Sequence, residues 1–162
     1  DNDLIISYGD IIYQKNVLSQ LVKSKANFSV CIDLNWKKYW KERFRNPLID
    51  AETLDFNSNG YLNDIGRKTH TYKEIKGQYI GLIKIKKTIL KDLVYFYSKL
   101  KIINKNNLFL TDFIQILIKN KWKIKTIPIK GGWLEIDNIS DLLLIEKLIK
   151  NKKINSFYKS DV

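Results

Sequence analysis

An α/β fold is predicted, with a mixed, mainly parallel sheet flanked by helices and a β-hairpin insertion. Apolar runs of strand length alternate with amphipathic stretches of helix length, and one Asn-Gly turn interrupts that alternation. No apolar stretch approaches the roughly 20 residues that a spanning helix needs.

Leu4-Ile5-Ile6 is a continuous apolar run ending in Ser7-Tyr8-Gly9-Asp10, the pattern of a central strand covered on both faces. A helix is expected over 14–25, with Val17, Leu18, Leu21 and Val22 on one face. Phe28, Val30, Ile32 and Leu34 then alternate with Ser29, Cys31 and Asp33, the period of a half-buried strand. Strand, helix and strand at this spacing read as a right-handed crossover unit. Segments 52–56 and 61–65 form the hairpin, because Asn59-Gly60 supplies the positive φ angles of a tight turn. A strand over 78–86, a helix over 88–100 and a polar loop over 104–107 follow. Thr111 is expected to cap a helix carrying Phe113, Ile114, Leu117 and Ile118. Ile124, Ile127 and Ile129 mark a strand and Gly131-Gly132 a turn, and Asn138 caps a last amphipathic helix with Ile139, Leu142, Ile145 and Ile149. Residues 1–150 constitute the domain portion, and 151–162 a polar tail expected to fray.

The 162 residues are 44% hydrophobic, 12% aromatic and 28% charged, enough for a packed core and unlike a disordered chain. The opening Asp1-Asn2-Asp3 has no basic or apolar targeting pattern, so neither secretion nor membrane insertion is expected. Cys31 is the only cysteine, which excludes an internal disulfide and a Cys-based zinc site and fits a cytoplasmic location. A net charge of +12 raises nucleic-acid binding, but only Arg43, Arg45 and Arg67 are arginines and the lysines are scattered. Without arginine forks or interleaved aromatic rings, no nucleic-acid partner is expected.

Two acidic sites stand at strand ends. Asp10 closes the first strand, and alternation in Trp133-Leu134-Glu135-Ile136-Asp137 puts Glu135 and Asp137 on one side. Carboxylates at the carboxyl edge of a sheet suit Mg²⁺, which takes few protein oxygens. The alternative for each is a turn residue or helix cap.

These segments, together with Trp36, Trp40, Arg43, Asn46-Pro47-Leu48-Ile49-Asp50-Ala51-Glu52-Thr53, Ile65-Gly66-Arg67-Lys68 and Gly77-Gln78-Tyr79-Ile80-Gly81-Leu82, carry a resemblance. The chain from Asp3 to Ile149 resembles nucleotidyltransferases with a GT-A-like fold, in the branch of phosphocholine and 2-aminoethylphosphonate cytidylyltransferases. That resemblance implies transfer of CMP from CTP to phosphocholine or an aminophosphonate, with release of pyrophosphate. Asp10 and Asp137 would hold Mg²⁺, with Glu135 as a further ligand or an orienting acceptor, and Lys68 would meet the acceptor's phosphate with help from Arg67. Asp10, Asp137 and Lys68 are thus the implied catalytic residues. Gln78 and Tyr79 match positions near the acceptor. Trp36, Trp40, Tyr79 and Trp133 offer faces for an ammonium group, although Trp36 and Trp40, four residues apart, equally fit one packed helical face. His70 reads as surface.

The family opens with a strand and a loop, Gly-x-Gly-Thr-Arg followed by a lysine, which does not occur here. The expectation is therefore the C-terminal portion of such a domain, inactive alone. An open sheet edge would favour a homo-oligomer. The competing readings are a sugar-1-phosphate nucleotidylyltransferase and a non-catalytic binding or oligomerisation module on the same scaffold.

Overall fold

The computed structural model describes residues 2–102 and 107–159. In chain order its elements are β1 (Leu4–Ser7), β2 (Ile11–Tyr13), α1 (Lys15–Val22), β3 (Phe28–Asp33), α2 (Trp36–Arg43), β4 (Glu52–Phe56), β5 (Leu62–Lys68), β6 (Gln78–Ile85), α3 (Lys87–Lys99), α4 (Leu110–Lys119), β7 (Lys125–Ile129), β8 (Trp133–Glu135) and α5 (Ile139–Lys150). Of the expected loop over 104–107, residues 104–106 lie outside the described residues.

The main sheet is mixed and helix-flanked, as expected, in the order β1-β6-β3-β7. Its directions lean the other way from the expectation: β6 is antiparallel to both neighbours, and only β3 and β7 pair in parallel. An apolar pattern records burial and leaves strand direction open, which is why this balance was not readable. β1 and β3 do point the same way, with β6 inserted between them, so the crossover skips one place. The central strand is β3, buried at every residue. β1 is an edge strand among the described elements, with Leu4 and Ile5 exposed, which corrects its reading as central.

Alternation along β3 sorts the core into two layers. Cys31 joins Val17 and Leu21 of α1, Trp36 and Trp40 of α2, and Ile145 and Leu148 of α5. Val30 and Ile32 join Leu93 of α3, Ile114 and Leu117 of α4, and Leu54, Leu62 and Ile65 of the hairpin. Lys84 of β6 is buried yet satisfied: its Nζ donates to the Val22 and Ser24 carbonyls at 2.7 and 3.0 Å, closing the end of α1.

Asn138 caps α5 as expected, accepting from the Asp141 N–H at 3.2 Å. Thr111 does not cap α4. That helix starts at Leu110 with Phe109 at its cap and no side-chain bond there. Thr111 packs instead on Gly66 of β5, which has φ +87°; a Cβ there would come 2.8 Å from that of Thr111. The tail is not frayed through 159. Phe157 is buried, 5.7 Å from the Tyr39 ring, and its carbonyl accepts from Gly132 N–H at 2.7 Å. Ile154 and Tyr158 pack beside Phe157 against the core and anchor the tail. No helix among the described residues is long and apolar enough to cross a membrane.

Candidate active site

A two-stranded ribbon builds the acidic end of the molecule. β2 and β8 pair antiparallel with Ile11 opposite Glu135. Beyond that pair the Ile136 N–H donates to the Asp10 carbonyl at 2.9 Å, so Asp10 adjoins the Glu135 to Asp137 stretch. The ribbon is fixed from beneath by Asp33, buried at the end of β3. Its Oδ1 accepts from the N–H groups of Asn35 and Gly131 at 2.8 and 2.9 Å, and its Oδ2 from the Trp133 indole at 3.0 Å. A buried carboxylate with three donors is fully engaged and sets the turn at Gly131-Gly132.

Arg43, the last residue of α2, gathers the carboxylates. Its Nη1 donates to Glu135 Oε2, its Nη2 to Asp137 Oδ2 at 2.6 Å and Asp141 Oδ2 at 3.0 Å, and its Nε to Asp141 Oδ1 at 2.9 Å. The guanidinium lies near the rings of Trp40, Phe44 and Tyr39, at 5.4, 5.1 and 5.7 Å. Burial works against its charge, but the carboxylates outweigh that and raise its pKa. Burial pushes the Glu135 carboxyl up to about 7; Arg43 opposes this, while the charges of Asp137 and Asp50 add to it. A guanidinium shared three ways does not overcome the desolvation. The Tyr39 hydroxyl donates to the Glu135 carbonyl at 3.0 Å, and burial pushes its own pKa up to about 12.

The hairpin forms the other wall. Gln78 is buried at the start of β6, and its Nε2 donates to the Glu52 carbonyl at 2.7 Å while its Oε1 accepts from Glu52 N–H at 3.3 Å. Both ends of the amide are used, so Gln78 holds Glu52 and offers nothing outward. Lys68 stands across the strands from Glu52, on a cleft of about 410 Å³ lined by Asn46, Leu48, Ile49, Lys68, Thr69 and His70. Arg67 is exposed and pairs bidentately with Asp64 at 2.9 and 3.0 Å. Tyr8 lies between the walls. Burial raises its pKa, the Tyr79 hydroxyl opposes, and the charges of Asp10, Glu52 and Glu135 add to the rise. Gly81, at φ +78°, makes room for it: a Cβ there would come 2.6 Å from Tyr8 Cγ. The Tyr79 ring meets Tyr8 edge-on at 5.7 Å, and its buried hydroxyl has no hydrogen-bond partner of good geometry.

The structure therefore brings Asp10, Glu135 and Asp137 to one ribbon, and Lys68 lies apart from them on the hairpin cleft. Trp36 and Trp133 are placed otherwise than expected: both are core residues, Trp133 with its indole on Asp33 and Trp36 packed on Trp40 at 5.9 Å. Buried rings present no face to an ammonium group. A three-carboxylate metal set does not fit either, since no group of three His, Cys, Asp or Glu among the described residues is arranged to hold an ion. A two-carboxylate set fits better: among the described residues nothing engages the Asp10 carboxylate or Asp137 Oδ1, and of the two acids that Arg43 holds through one oxygen, Asp137 is the more exposed, at 42% against 19% for Glu135. Sequence reasoning gave no task to Arg43, Asp141, Asp33 or Tyr8. The i, i+4 spacing of Asp137 and Asp141 was the available signal for Asp141.

No family model matches the chain. It is 43% identical over 152 residues to a CTP:phosphoglutamine cytidylyltransferase of Campylobacter jejuni, an alignment covering 90% of the chain and 60% of that protein. The chain thus spans less than two thirds of this relative's length. Among solved structures it is similar to an inositol-1-phosphate CTP transferase from T. maritima, with TM-score 0.64 and 16% identity over 99% of the chain and 59% of that protein. A second, described as a glucose-1-phosphate thymidylyltransferase from Bacillus anthracis, gives TM-score 0.57 and 14% identity over 99% and 57%. At those identities the likeness shows fold alone, and the fold of this chain is that of the nucleotidyltransferases.

Proposed function

We propose that the chain carries the carboxylate ribbon and the acceptor wall of a cytidylyltransferase, which moves CMP from CTP to a small phosphorylated acceptor and releases pyrophosphate. The observation that carries this reading is the 43% identity to the phosphoglutamine enzyme over nearly the whole chain. An acceptor oxygen attacks the α-phosphorus in line, a reaction that rests on positioning and charge neutralisation. Asp10 and Asp137 would hold Mg²⁺, which supplies positive charge to the triphosphate. Lys68 orients the acceptor's anionic oxygens, and Gln78 keeps Glu52 in place beside it.

The cleft mixes polar with apolar side chains, Leu48 and Ile49 among them, and offers no Trp, Tyr or Phe face. Asn46, Thr69 and His70 line it, whereas Trp36 and Trp133 are buried, so support for a quaternary ammonium such as phosphocholine is weaker than for a phosphoglutamine-like molecule. The test is pyrophosphate release with CTP, Mg²⁺ and, in separate arms, phosphoglutamine, phosphocholine, 2-aminoethylphosphonate and a sugar 1-phosphate. It is run on this chain and on any longer natural reading frame containing it. CTP-dependent turnover by the longer reading frame, fastest with phosphoglutamine and lost in Asp10→Ala and Asp137→Ala, is expected. Turnover indifferent to both substitutions would overturn the site.

A further inference from the structure

Arg43 has no task in that reaction, yet its surroundings are the most constrained in the site. Its side chain is 0% exposed, while those of Asp141, Glu135 and Asp137 are 7, 19 and 42% exposed. Three carboxylates share the one guanidinium, and the exposure gradient puts the opening at Asp137. Asp141 Oδ2 also accepts the Asp137 N–H at 3.1 Å, so the Arg43–Asp141 pair fixes both main chain and side chain of Asp137.

We infer that Arg43 is a positioning residue: it takes Glu135 and Asp141 as its own counter-ions and grips Asp137 by Oδ2, turning Oδ1 outward for a divalent cation. Glu135 is then a support for Arg43 and no metal ligand, contrary to the three-carboxylate expectation. The inference rests on the proposed reaction only for the need of a cation. Only a planar fork with donors on three nitrogens reaches all three carboxylates at once; a lysine ammonium is a single point.

Mn²⁺ binding, read by loss of the free-ion electron paramagnetic resonance signal, tests it on the wild-type chain and on Glu135→Gln, Asp137→Asn and Arg43→Lys, each checked for folding by near-UV circular dichroism. Glu135→Gln is expected to bind within about twofold of wild type. Asp137→Asn and folded Arg43→Lys are expected to lose roughly 10- to 100-fold, the usual cost of removing a ligand's support. Equal losses in Glu135→Gln and Asp137→Asn would make Glu135 a ligand and overturn the inference. So would wild-type affinity in Arg43→Lys, or no Mn²⁺ binding by the wild-type chain. If Arg43→Lys does not fold, the Glu135 and Asp137 pair decides. Intact Mn²⁺ behaviour without CTP-dependent pyrophosphate release would instead remove the proposed reaction and leave the Arg43 inference standing.

Discussion

Arg43 and Arg67 are both held by carboxylates through two or more nitrogens, one at the end of α2 and the other on β5 of the hairpin. Arg43 is closed off from water among three acids, whereas Arg67 is 57% exposed beside one. The bonds are alike; the solvent differs. Water screens and replaces the Arg67 pair, while nothing replaces Arg43 when it is lost. Arg43→Met is therefore expected to lower the unfolding free energy by about 3–5 kcal/mol, because it strands buried carboxylates. Arg67→Met is expected to shift the urea midpoint within error. Equal shifts would break the comparison.

Tyr8 bridges the two walls, and its seat makes the next prediction. Gly81→Ala is expected to cost about 1–3 kcal/mol, from an alanine at φ +78° and a Cβ 2.6 Å from Tyr8 Cγ. Gly9→Ala, one residue along, meets nothing within 4 Å and serves as the control in the same urea titration.

The smallest effect separates two carboxylates of the hairpin by sign. Burial raises the Glu52 pKa, with Lys68 opposing and Asp112 and Asp50 adding. Folded Glu52 holds its proton more tightly than the unfolded chain does. Its contribution to stability is thus full below about pH 4.5, the ordinary value, and is lost as pH rises through its raised folded value. For Asp64, burial also raises, but the bonds from Arg67 and Thr53 prevail and the pKa is lowered. Its contribution is present above the ordinary 3.8 and lost as pH falls through the lowered value. Melting midpoints of wild type against Glu52→Gln and Asp64→Asn across pH 3–7 should therefore diverge in opposite directions. Parallel profiles would refute the assignment.

What was legible in the sequence was local. The hairpin turn announces itself in Asn57 to Gly60, and Asn57 Oδ1 does accept the N–H groups of Asn59 and Tyr61, at 3.0 and 3.1 Å. Asn138 lies directly before the helix it caps. Strand β3 showed its alternation but not its depth: Ser29 and Asp33 are as buried as Val30, because helices cover one face and the hairpin with its helices covers the other. β2 was hidden, since three residues form no pattern and the partner strand lies far along the chain. The role of Arg43 was hidden for a related reason. Trp-Lys-Lys-Tyr-Trp-Lys-Glu-Arg reads as a helix whose aromatic face could pack inward, and the carboxylates that draw its last residue inward are distant in sequence. The acids at the ribbon were found by their strand-end positions; which of them were free for a ligand depended on that contact.

The tail and the acidic residues share one short rod. At one end of the ribbon are Asp10 and Glu135 to Asp137; at the other, Gly132 is bonded to the Phe157 carbonyl and the Gln14 amide to that of Lys159. A three-residue strand spans roughly 10 Å. The C-terminal segment is thus a handle on a stiff lever whose far tip is the carboxylate cluster. A fluorophore, affinity tag or fusion partner joined just past Lys159 would load that lever, whereas the solvent-facing tip of the hairpin at Ser58 carries no such linkage.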